Sequence, residues 1–425
     1  MKLLSSLRPN TLVPGTLAFA AMALAPAALA QTPEQVAEAA LEAAPVFDGH
    51  NDVPIQLRAR LQNMIADFDF VDTTDTGAED GRTMHTDLTR LREGKVGAQF
   101  WSVYVSPAME EPEAVQATIE QIDVTRRLID RYPDDLALAL TADDVERAVR
   151  EGRIASLMGM EGGHSIGSSL AVLRQMYAIG ARYLTLTHSR NTPWADSATD
   201  DPEHGGLTDF GRQVVREMNR LGMLVDLSHV SEATMADVLD IASAPVIFSH
   251  SGARAINGHA RNVPDSILRR LPENGGVVMV VGLPGYLSED MRQWNARRQA
   301  ERARLESLWQ GQPDSAAAAL EAWDAANPAP TATIADMADH IDHVRQVAGI
   351  DHIGIGGDYD GMPTGPQGME DVSGYPALFV ELARRGYSQA DLEKIAMGNV
   401  LRAMRQAEAV AAAQADMDPI ETPAS

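Results

Sequence analysis

The sequence predicts an α/β protein, a closed (β/α)8 barrel of the TIM type with a helical insertion after the seventh strand. Eight short apolar segments with strand character recur along the chain, and most are separated by segments with helical periodicity, as in a parallel sheet. Six of the eight end in a His, Asp or Glu, and barrel active sites lie at the carboxyl ends of the strands. The length of 425 residues fits one barrel with additions.

The first 30 residues have the plan of a secretory signal peptide. Lys2 and Arg8 precede an apolar stretch over 12–24, and an Ala-Leu-Ala sequence ends at Ala30, before Gln31. Two prolines and a glycine interrupt the apolar region, which argues against the alternative, an N-terminal membrane anchor. We therefore expect cleavage after residue 30 and a mature protein that is periplasmic or secreted and has no membrane anchor.

Composition limits the partners and the metal ligands. The 60 acidic residues outnumber the 35 basic ones, giving a formal net charge of -25 that repels phosphate backbones and anionic membranes. We expect no nucleic-acid partner. The chain has no cysteine, so any bound metal must use His, Asp and Glu. The sequence gives no indication of oligomer contacts, so the question whether the protein forms a homodimer is left open.

The predicted barrel domain covers residues 31–410, and its elements follow in order. The eight strands are expected at 45–48, 96–105, 153–161, 181–188, 222–229, 244–250, 275–281 and 352–358. Helices are expected at 33–43, 114–131, 169–179, 208–221, 232–241, 336–348, 375–385 and 389–405.

A charged, Ala-rich segment at about 287–330 interrupts this alternation after the seventh strand. Its pattern predicts two helices, at 291–309 and 314–326, separated by a Gly-Gln-Pro sequence. The insertion forms either a pocket rim or a solvated helical hairpin. Residues 411–425 are predicted to be a disordered tail.

The polar strand ends supply the candidate functional residues. His50 and Asp52 are two residues apart, so in an extended chain their side chains point the same way. The other strand ends carry Glu161, His188, His229, His250 and Asp358. Imidazoles and carboxylates suit zinc and similar ions, and a shared carboxylate between two ligand pairs is what a two-metal hydrolytic site needs. Glu161 is the candidate bridge. Some barrels of this kind bridge the metals with a carboxylated lysine, but no lysine of this chain lies at a strand end. The alternative for Glu161 is a carboxylate at a helix N-terminus.

Seven motifs occur in the order found in a known family. They are DGHND at 48–52, EGG at 161–163, LTH at 186–188 with NTPWAD at 191–196, DLSH at 226–229, FSHS at 248–251, RNVPD at 261–265 and GGD at 356–358. Over about residues 45–405 the chain resembles the membrane dipeptidase (renal dipeptidase) family of zinc peptidases, which have an amidohydrolase-like barrel.

The resemblance implies two Zn²⁺ ions per chain and a role for each candidate residue. The implied ligands are His50 and Asp52 for one ion, His229 and His250 for the other, and Glu161 as the bridge. His188 would contact the substrate carbonyl oxygen and stabilise the oxyanion formed by attack of a metal-bridging hydroxide. Arg261 would hold the substrate's terminal carboxylate, for which its guanidinium fork suits better than a lysine. Asp358 would contact the substrate and act as general acid and base.

The implied activity is that of an exported zinc-dependent dipeptidase that hydrolyses small dipeptides, with L,D-dipeptides and β-lactams as further substrates. The alternative is a binuclear amidohydrolase acting on another amide, such as an N-acyl amino acid. A metal-binding protein without turnover is disfavoured, since it needs neither His188 nor Asp358. After the seventh strand, the Asn-Phe type sequence common in the family is replaced by GLPGY at 282–286, which leaves the side-chain preference open. We expect the remaining histidines to be structural or exposed.

Overall fold

Eight parallel strands close into a barrel. The computed structural model describes residues 31–77 and 81–422, so the predicted signal peptide lies outside the described residues. The described residues form these eight strands and a ninth, β3, outside the closed ring: β1 (Val46–Asn51), β2 (Val96–Ser102), β3 (Leu136–Leu138), β4 (Ile154–Glu161), β5 (Ala181–Thr185), β6 (Leu224–Asp226), β7 (Ile247–Ser251), β8 (Val277–Val281) and β9 (Ile353–Gly356). Strand β1 pairs with β2 and β9, β2 pairs with β4, and β4 to β9 pair in sequence order. This closure confirms the predicted TIM-type fold.

The strand β3 was missed in the sequence. It pairs with the first part of β4, where Leu136 lies opposite Ile154. Strand β5 pairs with the second part of β4, where Met158 lies opposite Ala181. Strand β3 therefore lies beside the amino-terminal part of β4, and the carboxyl-terminal part of β4 pairs with β5 on the same side.

Helices surround the barrel, and most of the predicted ones are present within a few residues of the expected bounds. They are α1 (Pro33–Ala43), α2 (Val53–Leu61), α3 (Leu88–Glu93), α4 (Glu111–Arg131), α5 (Ala142–Arg150), α6 (Leu170–Ala178), α7 (Asp209–Leu221), α8 (Glu232–Ile241), α9 (Asp265–Leu268), α10 (Leu271–Asn274), α11 (Pro284–Leu287), α12 (Glu289–Leu308), α13 (Pro313–Ala326), α14 (Ile334–Val347), α15 (Tyr375–Arg384), α16 (Gln389–Glu393) and α17 (Asn399–Ala413). A π-helical turn, Lys394–Gly398, joins α16 to α17. Among these helices, none is long and apolar enough to cross a membrane.

Apolar side chains fill the barrel below its polar end. Alternate strand residues, among them Phe47, Phe100, Tyr183 and Met279, form one buried cluster together with residues of α17. The Phe100 ring lies 5.3 Å from that of Phe47 and 4.9 Å from that of Tyr183. Alternate residues of a strand point to the same face. The residues that point into the barrel are therefore apolar along most of each strand, and the polar residues at the strand ends point toward the same end of the barrel.

The predicted insertion forms a largely exposed hairpin. Trp294 of α12 packs against Trp323 of α13, and Arg298 pairs with Asp324 at 2.7 Å. Leu308, the last residue of α12, is 62 % exposed. Helix α12 begins shortly after the loop that follows β8, so the hairpin is joined directly to the carboxyl end of the barrel.

The structure describes residues 411–422 of the segment predicted to be a disordered tail. Helix α17 continues to Ala413, and Ile420, in the described segment after it, contacts two earlier helices. The backbone N–H of Ile420 donates to Glu217 Oε2 at 3.2 Å, and its carbonyl oxygen accepts from Arg174 at 3.2 Å. Both partners lie far from Ile420 in the sequence, so local composition could not indicate this contact.

Candidate metal centre and active site

The polar strand ends meet around one cavity of about 350 Å³. The cavity lies at the carboxyl end of the barrel. Seven of the eight residues predicted from the sequence line it: Asp52, Glu161, His188, His229, His250, Arg261 and Asp358. The eighth, His50, is fully buried against Asp52 and Glu161.

Three of these residues lie beyond the strands to which the sequence assigned them. Strand β5 ends at Thr185 and β6 at Asp226, so His188 and His229 each follow three residues later. Strand β9 ends at Gly356, two residues before Asp358. His229 and Asp358 have φ angles of 70° and 63°, in the left-handed region that non-glycine residues rarely adopt. These backbone turns, rather than continued strand geometry, direct the two side chains over the barrel mouth.

Glu161 lies at the centre of the cluster. Its Oε2 atom is 3.4 Å from His50 Nε2, which is also 3.4 Å from Asp52 Oδ2. Its Oε1 atom is 3.0 Å from His229 Nε2 and 3.5 Å from His250 Nε2. Each carboxylate oxygen therefore faces one pair of candidate ligands, as a bridging carboxylate would.

The donor set fits divalent metal ions. Ligand atoms gather within 4.8 Å of one another in three overlapping groups: His50 with Glu161 and His250, Glu161 with His188 and His229, and His50 with Asp52 and Asp358. His50 Nε2 is buried without a hydrogen-bond partner among the described residues, although it points into the cluster. Nitrogen and oxygen donors without sulfur suit zinc and related ions.

Electrostatics favour the metal-binding forms of three of the candidate ligands, Glu161, His229 and His250. Burial acts to raise the pKa of Glu161, but the imidazoles around it, His50 above all, hold this pKa well below its ordinary value. Burial lowers the pKa of His229 and of His250 well below theirs, and the guanidinium of Arg261 adds to the effect. A carboxylate and neutral imidazoles are the states required for coordination.

Asp358 is a buried carboxyl group beside His50 and Asp52. Burial, together with the charges of Asp52 and Glu161, outweighs the opposing effect of His50 and holds the pKa of Asp358 well above its ordinary value. Gly361 permits the close approach of the two aspartates, because a Cβ there would lie 2.1 Å from Asp52 Oδ2 and 2.7 Å from Asp358 Oδ1. A carboxyl group that retains a proton is suited to general acid catalysis.

Arg261 is a buried cation that forms no ion pair with any described residue. It is 1 % exposed, and its guanidinium donates to neutral groups, including Ser251 Oγ and the His250 carbonyl oxygen, each at 3.3 Å. Its Nε atom has no hydrogen-bond partner in the described part of the chain. Since burying a charge without a partner is costly, the site is complementary to an anionic group of a ligand.

His188 forms one wall of the cavity. Its ring stacks on His229 at 4.1 Å and packs against Tyr104 at 4.8 Å. Burial lowers the pKa of His188, so the neutral ring can donate one hydrogen bond to a ligand oxygen.

Sequence reasoning missed several residues around this centre. Tyr104, Leu283 and Tyr286 line the cavity. Tyr183 hydrogen-bonds with His50, and Asp226 accepts from Ser249, whose hydroxyl also contacts His250. Leu283 and Tyr286 belong to the segment after β8 in which the sequence departs from the family pattern. The DLSH motif contains Asp226, but its spacing gave no indication of what the carboxylate contacts.

Comparison with known proteins identifies the family. The family model of membrane dipeptidase (peptidase family M19) matches residues 34–417. Dipeptidase 3 of Rattus norvegicus is 41% identical over 382 residues, which cover 89% of this chain and 68% of the rat protein. Dipeptidase tcpJ of Claviceps purpurea (strain 20.1) is also 41% identical, over 88% of this chain and 79% of the fungal protein.

Solved structures agree with these relatives. The probable dipeptidase PvdM of Pseudomonas aeruginosa superposes with a TM-score of 0.75 at 27% identity, covering 89% of this chain and 99% of that one. A metallo peptidase of Rhodobacter sphaeroides, solved with a phosphinate mimic of the dipeptide L-Ala-D-Ala, gives a TM-score of 0.69 at 25% identity, with coverages of 86% and 99%. The chain therefore belongs to the membrane dipeptidase family, peptidase family M19, and is a metallo-dipeptidase.

Proposed function

We propose that this metallo-dipeptidase is an exported enzyme with two zinc ions, which hydrolyses the peptide bond of small dipeptides, including L,D-dipeptides. The observation that carries the proposal is the position of Glu161, whose two oxygens face separate ligand pairs beside the cavity. When bound, two such ions would supply an activated water and polarise the scissile carbonyl group.

The proposal assigns metal binding, oxyanion stabilisation and proton transfer to residues of the chain. His50 and Asp52 would hold one ion, His229 and His250 the other, and Glu161 both. His188 would donate a hydrogen bond to the oxygen on which negative charge develops, and Asp358 would move a proton to the leaving amine.

The setting of Arg261 supports a substrate with a free terminal carboxylate. Its fork-shaped guanidinium can bind a carboxylate through two hydrogen bonds, and it has no competing acidic partner among the described residues. A cavity of about 350 Å³ is at the small end for ligand pockets, which favours dipeptides over longer peptides.

The proposed hydrolysis of L,D-dipeptides is based on a structurally similar protein. The Rhodobacter sphaeroides metallo peptidase was solved with a mimic of L-Ala-D-Ala, and we extend that substrate type to this chain. β-Lactams are proposed as secondary substrates, since they also present an amide bond near a carboxylate.

A substrate panel tests both the activity and the carboxylate anchor. We expect the zinc-loaded protein to hydrolyse L-Ala-L-Ala and L-Ala-D-Ala, and to hydrolyse the corresponding C-terminal amides far less well. Arg261→Ala should raise KM for the free dipeptides by about 10- to 100-fold, because a hydrogen bond to a charged group contributes about 1.5–3 kcal/mol.

The amides serve as the matched control for this measurement. Arg261→Ala should change their KM little, so the variant should lose most of the preference for a free carboxylate. An equal rise in KM for dipeptides and amides would remove Arg261 from carboxylate recognition. Hydrolysis of N-acetylated amino acids in preference to every dipeptide would favour the alternative amidohydrolase.

Export is a separate proposal, based on the apolar N-terminal stretch and the small residues before Gln31. N-terminal sequencing of protein recovered outside the cytoplasm should find Gln31 as the first residue. A variant without residues 1–30 should remain in the cytoplasm with its metal content intact. Recovery of protein that starts at Met1 from the membrane fraction would show that the stretch is an anchor.

A further inference from the structure

We infer that Asp226 is a positioning residue that fixes the tautomer of His250 through the hydroxyl of Ser249, and so strengthens one of the two metal sites selectively. The inference rests on the proposed function, since it takes His250 to be a metal ligand. All three side chains are buried at the carboxyl end of the barrel.

Asp226 is held by four hydrogen bonds from three neighbouring strands or their ends. Its Oδ1 atom accepts from the backbone N–H groups of Ser228 at 3.0 Å and Ser249 at 2.8 Å. Its Oδ2 atom accepts from the hydroxyls of Thr185 at 2.5 Å and Ser249 at 2.7 Å. The carboxylate does not touch the metal cluster, so it can act there only through another residue.

The Ser249 hydroxyl connects this carboxylate to the imidazole of His250. Its Oγ atom lies 2.7 Å from Asp226 Oδ2 and 2.8 Å from His250 Nδ1. A carboxylate only accepts hydrogen bonds, so the single hydroxyl proton of Ser249 points to Asp226. The Oγ lone pair then accepts from Nδ1–H of His250, which leaves the lone pair of Nε2 directed at Glu161 and the proposed ion.

The other two histidine ligands lack this arrangement. His50 Nδ1 is 2.9 Å from the hydroxyl of Tyr183. In the hydrogen bonds described, that hydroxyl contacts a backbone carbonyl oxygen and no carboxylate. His229 Nδ1 is buried with no hydrogen-bond partner in the described part of the chain. The site formed by His229 and His250 therefore depends on one chain of hydrogen bonds for the orientation of its ligands.

The substitution Asp226→Asn gives a directional test. An Asn with its oxygen toward the two backbone N–H groups would place its NH₂ group toward Ser249 and donate to it. The Ser249 hydroxyl would then donate to His250 Nδ1, and the proton would move to Nε2, where it blocks coordination. Asp226→Asn should therefore weaken one zinc site more than Ser249→Ala, although Asn keeps the shape of Asp.

Zinc titration of the metal-free protein against a chromophoric chelator would measure the two stepwise constants. We expect Ser249→Ala and Asp226→Asn to weaken one constant by about 10- to 100-fold, the usual effect of removing an outer partner of a ligand, and to leave the other unchanged. In a His250→Ala background, neither substitution should cause a further loss, because the coupling passes through that imidazole.

Thr185→Val is the matched control, since it removes a hydrogen bond to the same carboxylate without breaking the path to His250. It should leave both zinc constants as in the wild type. Equal weakening by Thr185→Val, or wild-type constants in Asp226→Asn, would overturn the inference. A wild-type protein that binds fewer than two zinc ions would instead reject the proposed metal centre itself, and the inference with it.

Discussion

Replacing Glu161 with Gln is expected to empty at least one of the two proposed zinc sites. The amide keeps the size of the side chain but presents one oxygen instead of two, so it cannot serve both ligand pairs. The effect should exceed the 10- to 100-fold loss of affinity that follows removal of an outer partner of a ligand, because a shared ligand is lost. Metal analysis after dialysis, and hydrolysis of L-Ala-L-Ala by the same preparation, would measure it.

Glu151→Gln is the control for this substitution. Glu151 lies just before the same strand, β4, at the opposite end of the barrel, and its side chain is 46% exposed. This variant should retain two zinc ions and wild-type turnover. Retention of both ions by Glu161→Gln, with unchanged affinities, would show that the carboxylate does not bridge.

Asp358→Asn should lower kcat by about 10²- to 10⁴-fold, the usual contribution of general acid and base catalysis. Asn preserves the shape of the side chain and much of its hydrogen bonding, but it cannot take up and release a proton. Zinc content and thermal stability should be nearly those of the wild type. Turnover and bound zinc should be measured on one preparation, because a loss of metal would also lower the rate.

Two outcomes would contradict this role of Asp358. If excess zinc restored most of the rate, Asp358 would be chiefly a metal ligand, as its position near His50 and Asp52 also allows. If kcat stayed near the wild-type value with full metal, Asp358 would have no part in the reaction. Asp351→Asn is the control, since Asp351 is exposed and lies before β9 at the other end of the barrel.

The barrel could be predicted because its signal is local. Each barrel strand is a short apolar run, and candidate ligands such as Glu161 and His250 lie at the end of their runs, so the order along the chain was enough to predict that they come together. The same reasoning placed His229 in a strand, whereas β6 ends at Asp226. An apolar run does not show where the backbone leaves the sheet.

What the sequence could not provide depends on contacts between distant segments. The three residues of β3 form a strand only because the start of β4 has a free side for pairing. Tyr183 reaches His50 across the barrel because Gly159 leaves room for its ring, from which an added Cβ would lie only 2.0 Å away. Neither the pairing of β3 nor the fit of the Tyr183 ring produces a periodic pattern in the sequence, so composition and spacing could not predict them.

The distribution of the proposed ligands over β1, β4, β7 and the turn after β6 has a consequence for the lifetime of the protein. In an unfolded chain the proposed ligands from different strands are far apart, so the ions would bind the native state almost exclusively. Binding of that kind adds about 4 kcal/mol to the free energy of unfolding when the free ion exceeds its Kd about 1,000-fold. A chain without cysteine has no disulfides to join its distant segments. In this protein, the supply of metal would govern resistance to proteolysis as well as turnover.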